Sequence, residues 1–382
     1  MKRSAIILLA CAFLFAGCET DDESLDTSIA SDTSSGGSQT GDPNQSGLIT
    51  AGEWNDLENW LFWNDIVNQK EFAANPDTWG FYNTNRISVL INSNNQPLTD
   101  AKITLIIDGN SVWESKSDNS GKAELWIDLF QENQSVDISE YSLEVNGQAI
   151  NIGLKPFSEG VNVVDMNTNQ TSSERVELNF IVDATGSMSD ELEFLKDDLA
   201  DVIQRVKDSN SSLDIFTSSV FYRDEGDEYE VRSSDFTDDI NTTLSFINNQ
   251  SADGGGDFPE AVHSALKVGI EEFQWSENAK TRIAFLLLDA PPHEDPNVVQ
   301  DLQKSITEAS KKGIKIIPIS ASGIGKNTEF LMRFFSITTN STYVFLTNDS
   351  GIGGNHIEPT VGDYEVEFLN DLMVRLIKEY SE

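Results

Sequence analysis

The chain has 382 residues, 38% hydrophobic and 23% charged, enough length for two or three domains and enough apolar content for a sizeable core. Acidic residues outnumber basic ones 64 to 25, a formal net charge of −39. Phosphate backbones and anionic lipid surfaces repel such a body, which excludes nucleic acid as a partner class, whereas divalent cations are attracted. A solvated acidic surface accounts for most of these charges.

Residues 1–17 read as a lipoprotein signal peptide. Lys2 and Arg3 give a positive start, and residues 5–15 form an apolar stretch too short to span a bilayer. Phe15-Ala16-Gly17-Cys18 resembles a bacterial lipobox, with Phe15 where Leu is usual. That resemblance implies cleavage before Cys18, a diacylglyceryl and acyl lipid on it, and membrane contact through this anchor alone. An ordinary secretory peptide is the plainer alternative. Cys11 leaves with the signal on either reading, so the remaining body has no disulfide and relies on its core. Glu19-Thr20-Asp21-Asp22-Glu23 resembles the acidic export tags of Bacteroidetes-type lipoproteins. It implies an outer-membrane lipoprotein exposed on the cell surface; read only as linker, it leaves a periplasm-facing one. Residues 18–47, rich in Ser, Thr, Asp, Gly and Gln, bury too little to fold and read as a disordered acidic tether about 30 Å long.

Residues 48–80 form a tryptophan-rich segment. Trp54, Leu57, Trp60, Leu61 and Ile66 recur at helical spacing, which predicts a short amphipathic helix or helical hairpin over 53–68, packed on the following β domain. Six of the seven tryptophans lie in the first third of the chain, an aromatic set that suits a small core better than a sugar-binding platform. Residues 81–156 alternate in short runs (ISVLI, AKITLII, KAELWI, YSLEVN) between turn sequences, with Asn146-Gly147 the strongest hairpin signal. The segment from PLTDAKITL to KAELWI resembles carboxypeptidase-regulatory-like and Ig-like β-sandwich modules, which implies an antiparallel spacer. Residues 157–175 are polar and read as a linker.

From residue 176 onward, apolar strands alternate with helical patterns, the signature of an α/β fold with a doubly wound, mostly parallel, Rossmann-like sheet. Strands are predicted at 176–182, 213–222, 282–288, 314–319 and 342–346, with an edge strand near 229–233. Helices are predicted at 189–207, 238–248, 259–273, 297–312, 328–335 and 364–379. Ligands in such sheets bind beyond the carboxyl ends of the strands, where strand order reverses. Asp183, Thr185 and Ser187 alternate at the end of the first strand, and carboxylate and hydroxyl oxygens without His or Cys suit a hard cation. A helix cap formed by Ser187 or Ser189 is the purely structural reading of the same residues.

DATGSMSD (183–190), GGGDFPEA (254–261) and FLLLDAPPH (285–293), in that order, resemble the three loops of the metal-ion-dependent adhesion site of von Willebrand factor A domains. The resemblance implies a divalent ion held by Asp183, Thr185, Ser187, Asp257 and Asp289: Mg²⁺ first, with Ca²⁺ and Mn²⁺ as alternatives. It also implies an open position that takes an acidic group from a protein or glycan ligand. Asp257 stands where the family places Thr. Either it reaches the ion through water, the arrangement we favour because a third direct carboxylate leaves the site at net −1, or it binds directly and the site prefers Ca²⁺ with its larger shell. YRDEGD (222–227) resembles a loop of a bacterial subset of the family, and makes Asp224 and Asp227, with Glu260 and His293, candidates for a ligand groove or second cation. As a bare charge run it is an ordinary solvated loop. The expectation is a binding protein, not an enzyme. A metal-assisted hydrolase with His293 or Glu294 as base is the competing class, and a purely structural metal-stabilised module the third. No HExxH motif or phosphate-cradling glycine loop supports the hydrolase. The glycine-rich run 351–356 reads as a surface loop.

Overall fold

The structure, a computed structural model, describes residues 47–132, 136–168, 173–210, 212–256 and 258–382. Strand β1 (Thr50–Trp54) is followed by short helices α1 (Trp60–Ile66) and α2 (Asn75–Trp79). Next come β2 (Arg86–Ser93), β3 (Gln96–Pro97), β4 (Lys102–Ile107), β5 (Asn110–Lys116), β6 (Lys122–Trp126), β7 (Tyr141–Val145), β8 (Gln148–Ile150) and β9 (Asn162–Met166). The carboxyl-terminal half contains β10 (Arg175–Asp183), α3 (Ser189–Ser209), β11 (Asp214–Tyr222), β12 (Val231–Thr237) and α4 (Ile240–Asn248). It continues through α5 (Val262–Leu266), β13 (Thr281–Leu288), α6 (Pro296–Lys312), β14 (Ile314–Ser320), α7 (Lys326–Thr338), β15 (Tyr343–Leu346), β16 (Val366–Phe368) and α8 (Leu369–Ser381).

The main sheet has the order β12-β11-β10-β13-β14-β15-β1-β16, parallel from β11 to β15. Its central strands are buried along their whole length, as continuous apolar runs require. Alternate residues divide between two cores. Leu178, Phe180 and Val182 face the layer of α3, α4 and α8, whereas Ile181 and Leu286 face α5, α6 and α7. Strand order reverses at β10, whose neighbours are β11 and β13. Asp183 and Asp289 therefore leave adjacent strands on the same edge, the expected position for a ligand. Among the described residues, no helix is long and apolar enough to cross a membrane.

Four features depart from the sequence reading. Residues 53 and 54, expected at the start of a helix, lie instead in β1, which enters the main sheet antiparallel to both β15 and β16 and places Ala51 in the core. The tryptophan-rich segment that follows packs chiefly on α7 rather than only on the β domain. Trp63 stacks on Phe330 at 5.6 Å, Phe81 on Phe334 at 4.4 Å, and Trp79 donates to Asn327 Oδ1 at 2.6 Å. Within the expected linker, β9 pairs parallel with β2, so that sheet is mixed and not purely antiparallel. At the carboxyl terminus, β16 delays the last helix to Leu369.

The two smaller sheets, β3-β2-β6 with β9 and β5-β4-β7-β8, dock at the amino ends of the main strands. Asp100 meets Arg282 at 2.8 Å at the start of β13, and Asn340, just before β15, donates to Asp118 at 2.9 Å. Trp113 Nε1 donates to Ser310 Oγ at 3.1 Å on α6. Their apolar faces join the α5–α7 core as one continuous cluster.

Candidate metal site

Asp183, the last residue of β10, is fully buried. Its Oδ1 accepts from the Thr185 amide at 2.9 Å and the Thr185 hydroxyl at 2.7 Å, while Oδ2 has no hydrogen bond of ordinary geometry, only the nearby Tyr222 phenol. The Thr185 hydroxyl lies 3.2 Å from that of Ser187, which is exposed at the start of the turn into α3. The loop thus brings three oxygen-bearing side chains together at the surface end of a buried strand.

The glycine-rich second loop lies directly against this one. Gly186 donates to the Gly254 carbonyl at 3.1 Å and Asp253 to the Ala184 carbonyl at 3.1 Å. Gly254 and Gly255 hold φ of +76° and +68°, and a Cβ on Gly255 would stand 2.9 Å from Glu260 Oε1. Only glycine fits both the backbone and the space. Asp227 Oδ2 accepts from the Gly255 amide at 2.8 Å and the Asp224 amide at 3.2 Å, tying the 222–228 loop to the second loop. Arg223, buried beneath, donates to the carbonyls of Ala184 and Ser251. Asp224 Oδ1 pairs with His293 Nε2 at 2.8 Å, joining the same loop to the third.

Glu260 does not open a helix, as Pro259 before it suggests. Its amide donates to the Pro291 carbonyl at 2.9 Å in a short bridge to the third loop, and α5 starts two residues later. This turns the Glu260 side chain inward, with Oε2 buried and unpartnered. Asp289, after β13, likewise has a buried Oδ1 without a partner.

Burial, then the charge of Asp289, pushes the Asp183 carboxyl up to about 7. Burial pushes Asp289 up to about 6. Glu260 rises to about 9, from burial and then from Asp183, Asp224 and Asp289. Beside them the Tyr222 phenol is raised well above its usual range by burial and by the same carboxylates. Buried carboxylates with unmet lone pairs that repel one another form the environment a divalent cation relieves. Among the described residues no three His, Cys, Asp or Glu side chains are gathered tightly enough to hold an ion by themselves. The hydroxyls of Thr185 and Ser187 are oxygens a hard cation takes as well. Asp257 and Cys18 lie outside the described residues.

The sequence reading missed Glu191 and His356. Glu191, in the first turn of α3 and 1% exposed, accepts from the Ser322 amide at 3.0 Å and sits 3.3 Å from His356 Nε2. The 351–356 loop therefore covers the opening of α3 beside the metal-site residues, and buries its histidine there. Glycines at 353 and 354 were the available signal, since Gly353 lies against Glu191 with no room for a Cβ.

Residues 177–358 match the family model for the von Willebrand factor A domain. The chain carries a von Willebrand factor A-type domain. Curated relatives of this A-type domain include an alpha-protein kinase of Dictyostelium discoideum, 36% identical over 124 residues, or 32% of this chain. Another, from Acanthamoeba polyphaga mimivirus and named as an ariadne-like RING finger protein, is 31% identical over 131 residues, or 34% of this chain. The matches span only 19% and 12% of those proteins' lengths. Among solved structures, BatB from Bacteroides thetaiotaomicron aligns over 54% of this chain and 98% of its own, at 14% identity and a TM-score of 0.37. The pilus adhesin SpaC from Lactobacillus rhamnosus GG aligns over 56% of this chain and 30% of its own, at 10% identity and a TM-score of 0.36.

Proposed function

We propose that this is an exported, lipid-anchored binding protein whose A-type domain engages a protein or glycan ligand through a divalent metal ion. Asp183, Thr185, Ser187 and Asp289 hold the ion, Mg²⁺ in the first instance, and Glu260 adds an inward carboxylate. The ion supplies an open coordination position for an acidic group of the ligand. The observation that carries this reading is the set of unpartnered, buried carboxylate oxygens beside two hydroxyls at the switch point of the sheet. Cys18 and the acidic residues after it support anchoring at the outer membrane and display on the cell surface.

A binding role is favoured over hydrolysis because no HExxH motif and no phosphate-cradling glycine loop accompanies His293. Its pairing with Asp224 at 2.8 Å ties two loops and decides neither way. The test is ligand capture from the native cell surface with and without EDTA. Capture that disappears with chelator and returns with Mg²⁺ supports the reading. Capture indifferent to EDTA removes the metal from recognition, and turnover of ester or phosphoester substrates would revive the hydrolase.

A further inference from the structure

Fourteen of the 38 residues in the four loops 183–191, 223–230, 251–262 and 289–297 are acidic, against 64 of 382 in the chain. These loops contain no lysine, and their single arginine, Arg223, is buried against backbone carbonyls. Asp190, Glu225, Glu230, Asp253, Glu294 and Asp295 are exposed on them. Among the described residues no lysine or arginine lies within ion-pair distance of these six. Glu225 faces only His263, 4.0 Å away, whose burial holds its pKa down. A surface that is acidic merely for solubility spreads its charges and pairs some of them. Here the density is more than twice the chain average, and among the described exposed acids of these loops only Glu228 meets arginine, Arg232 at 3.2 Å and Arg223 at 3.7 Å.

A second observation lies inside the ring. The unpartnered oxygens of Asp183, Asp289 and Glu260 belong to residues only 0%, 5% and 2% exposed. One divalent ion among them cancels two charges and leaves the rim strongly negative. Phe258, 54% exposed, adds an apolar surface on the same rim.

We propose that this rim docks a basic protein surface. The partner presents its metal-directed carboxylate from a lysine- or arginine-rich neighbourhood, with a cationic side chain laid over Phe258. Only the bridging carboxylate rests on the metal-dependent reading above; the preference for positive charge is set by the rim. Attraction over about one Debye length, about 8 Å in physiological salt, steers such a partner in and turns acidic surfaces away.

The experiment uses the full chain and two synthetic peptides of equal length, each with one central aspartate, flanked by lysines in one and by glutamates in the other. With Mg²⁺ at low salt, the lysine peptide is expected to bind at least about tenfold more tightly, and to lose most of that advantage in high salt. In the double variant Glu225→Lys, Glu230→Lys the preference should vanish, while the rise in melting temperature caused by Mg²⁺ stays at the wild-type value. A wild type that takes Mg²⁺ but binds both peptides alike, or neither, overturns the rim proposal and leaves the metal reading standing. A lysine preference in a wild type without any Mg²⁺ response does the reverse.

Discussion

Asp227 and Gly254 occupy adjoining space: the carboxylate of one lies where the other would carry a Cβ, and Asp227 Oδ2 accepts the next amide, that of Gly255, at 2.8 Å. Two loops far apart in the chain are thereby fixed relative to each other and to the Thr185 loop. The site is preorganised by this contact rather than by the carboxylates that face inward, which repel one another.

Gly254→Ala therefore meets both a positive φ and a collision with Asp227. It is expected to destabilise the protein by about 1–3 kcal/mol in urea melts. Asp227→Asn, which keeps the size of the side chain, should cost less and weaken Mg²⁺ binding through looser loops. Equal stability of Gly254→Ala and wild type would show that the loops are not held by this contact.

The metal-free protein should lose stability as pH rises from about 4 to about 7. Asp183 is raised from 3.8 to about 7 in the folded state, so the folded protein holds a proton that the unfolded chain releases. Asp289, raised to about 6, acts in the same direction. Asp183→Asn should flatten this part of the profile. Because the ion needs the deprotonated form, the gain from Mg²⁺ should be larger at pH 8 than at pH 5. Melting temperatures across that range, with and without Mg²⁺, decide it.

Much of the site could be read before the fold was known, because β10 combines a continuous apolar run with an abrupt Asp183. That combination points to the carboxyl end of a central strand, where ligands bind in α/β sheets, although a helix cap uses the same residues. The position of Glu260 could not be read, since Pro259 signals a helix start and only the pairing with Pro291 and Pro292 shows otherwise. β1 was hidden for a related reason. Its five residues include Gly52 and Glu53, and tryptophans at helical spacing dominate the same window. β9 is a half-buried edge, with Asn162 and Val164 inward and Val163 and Asp165 exposed, and only its pairing with β2 makes it a strand.

Asp56 and Arg333 form a fully buried pair, with the guanidinium donating at 2.8 Å, that fixes the amino-terminal segment to α7. Asp56→Ala leaves the Arg333 charge with Glu329 alone and is expected to cost about 3 kcal/mol. Denaturant titration measures this. A loss below about 1 kcal/mol would mean that the tryptophan contacts hold the segment unaided.

Cys18→Ser is expected to abolish lipid labelling and release the protein from membranes. Unchanged labelling and signal cleavage in that variant would remove the anchor from the account.

The most direct measurement is the melting temperature of the full chain titrated with Mg²⁺, for wild type and Asp183→Ala. An ion that binds only the folded state at 100 times its dissociation constant adds about 2.7 kcal/mol. Wild type should therefore rise with Mg²⁺ and saturate, while Asp183→Ala folds but does not respond. A wild-type melt unmoved by Mg²⁺, Ca²⁺ and Mn²⁺ would contradict the metal site on which the proposed function depends.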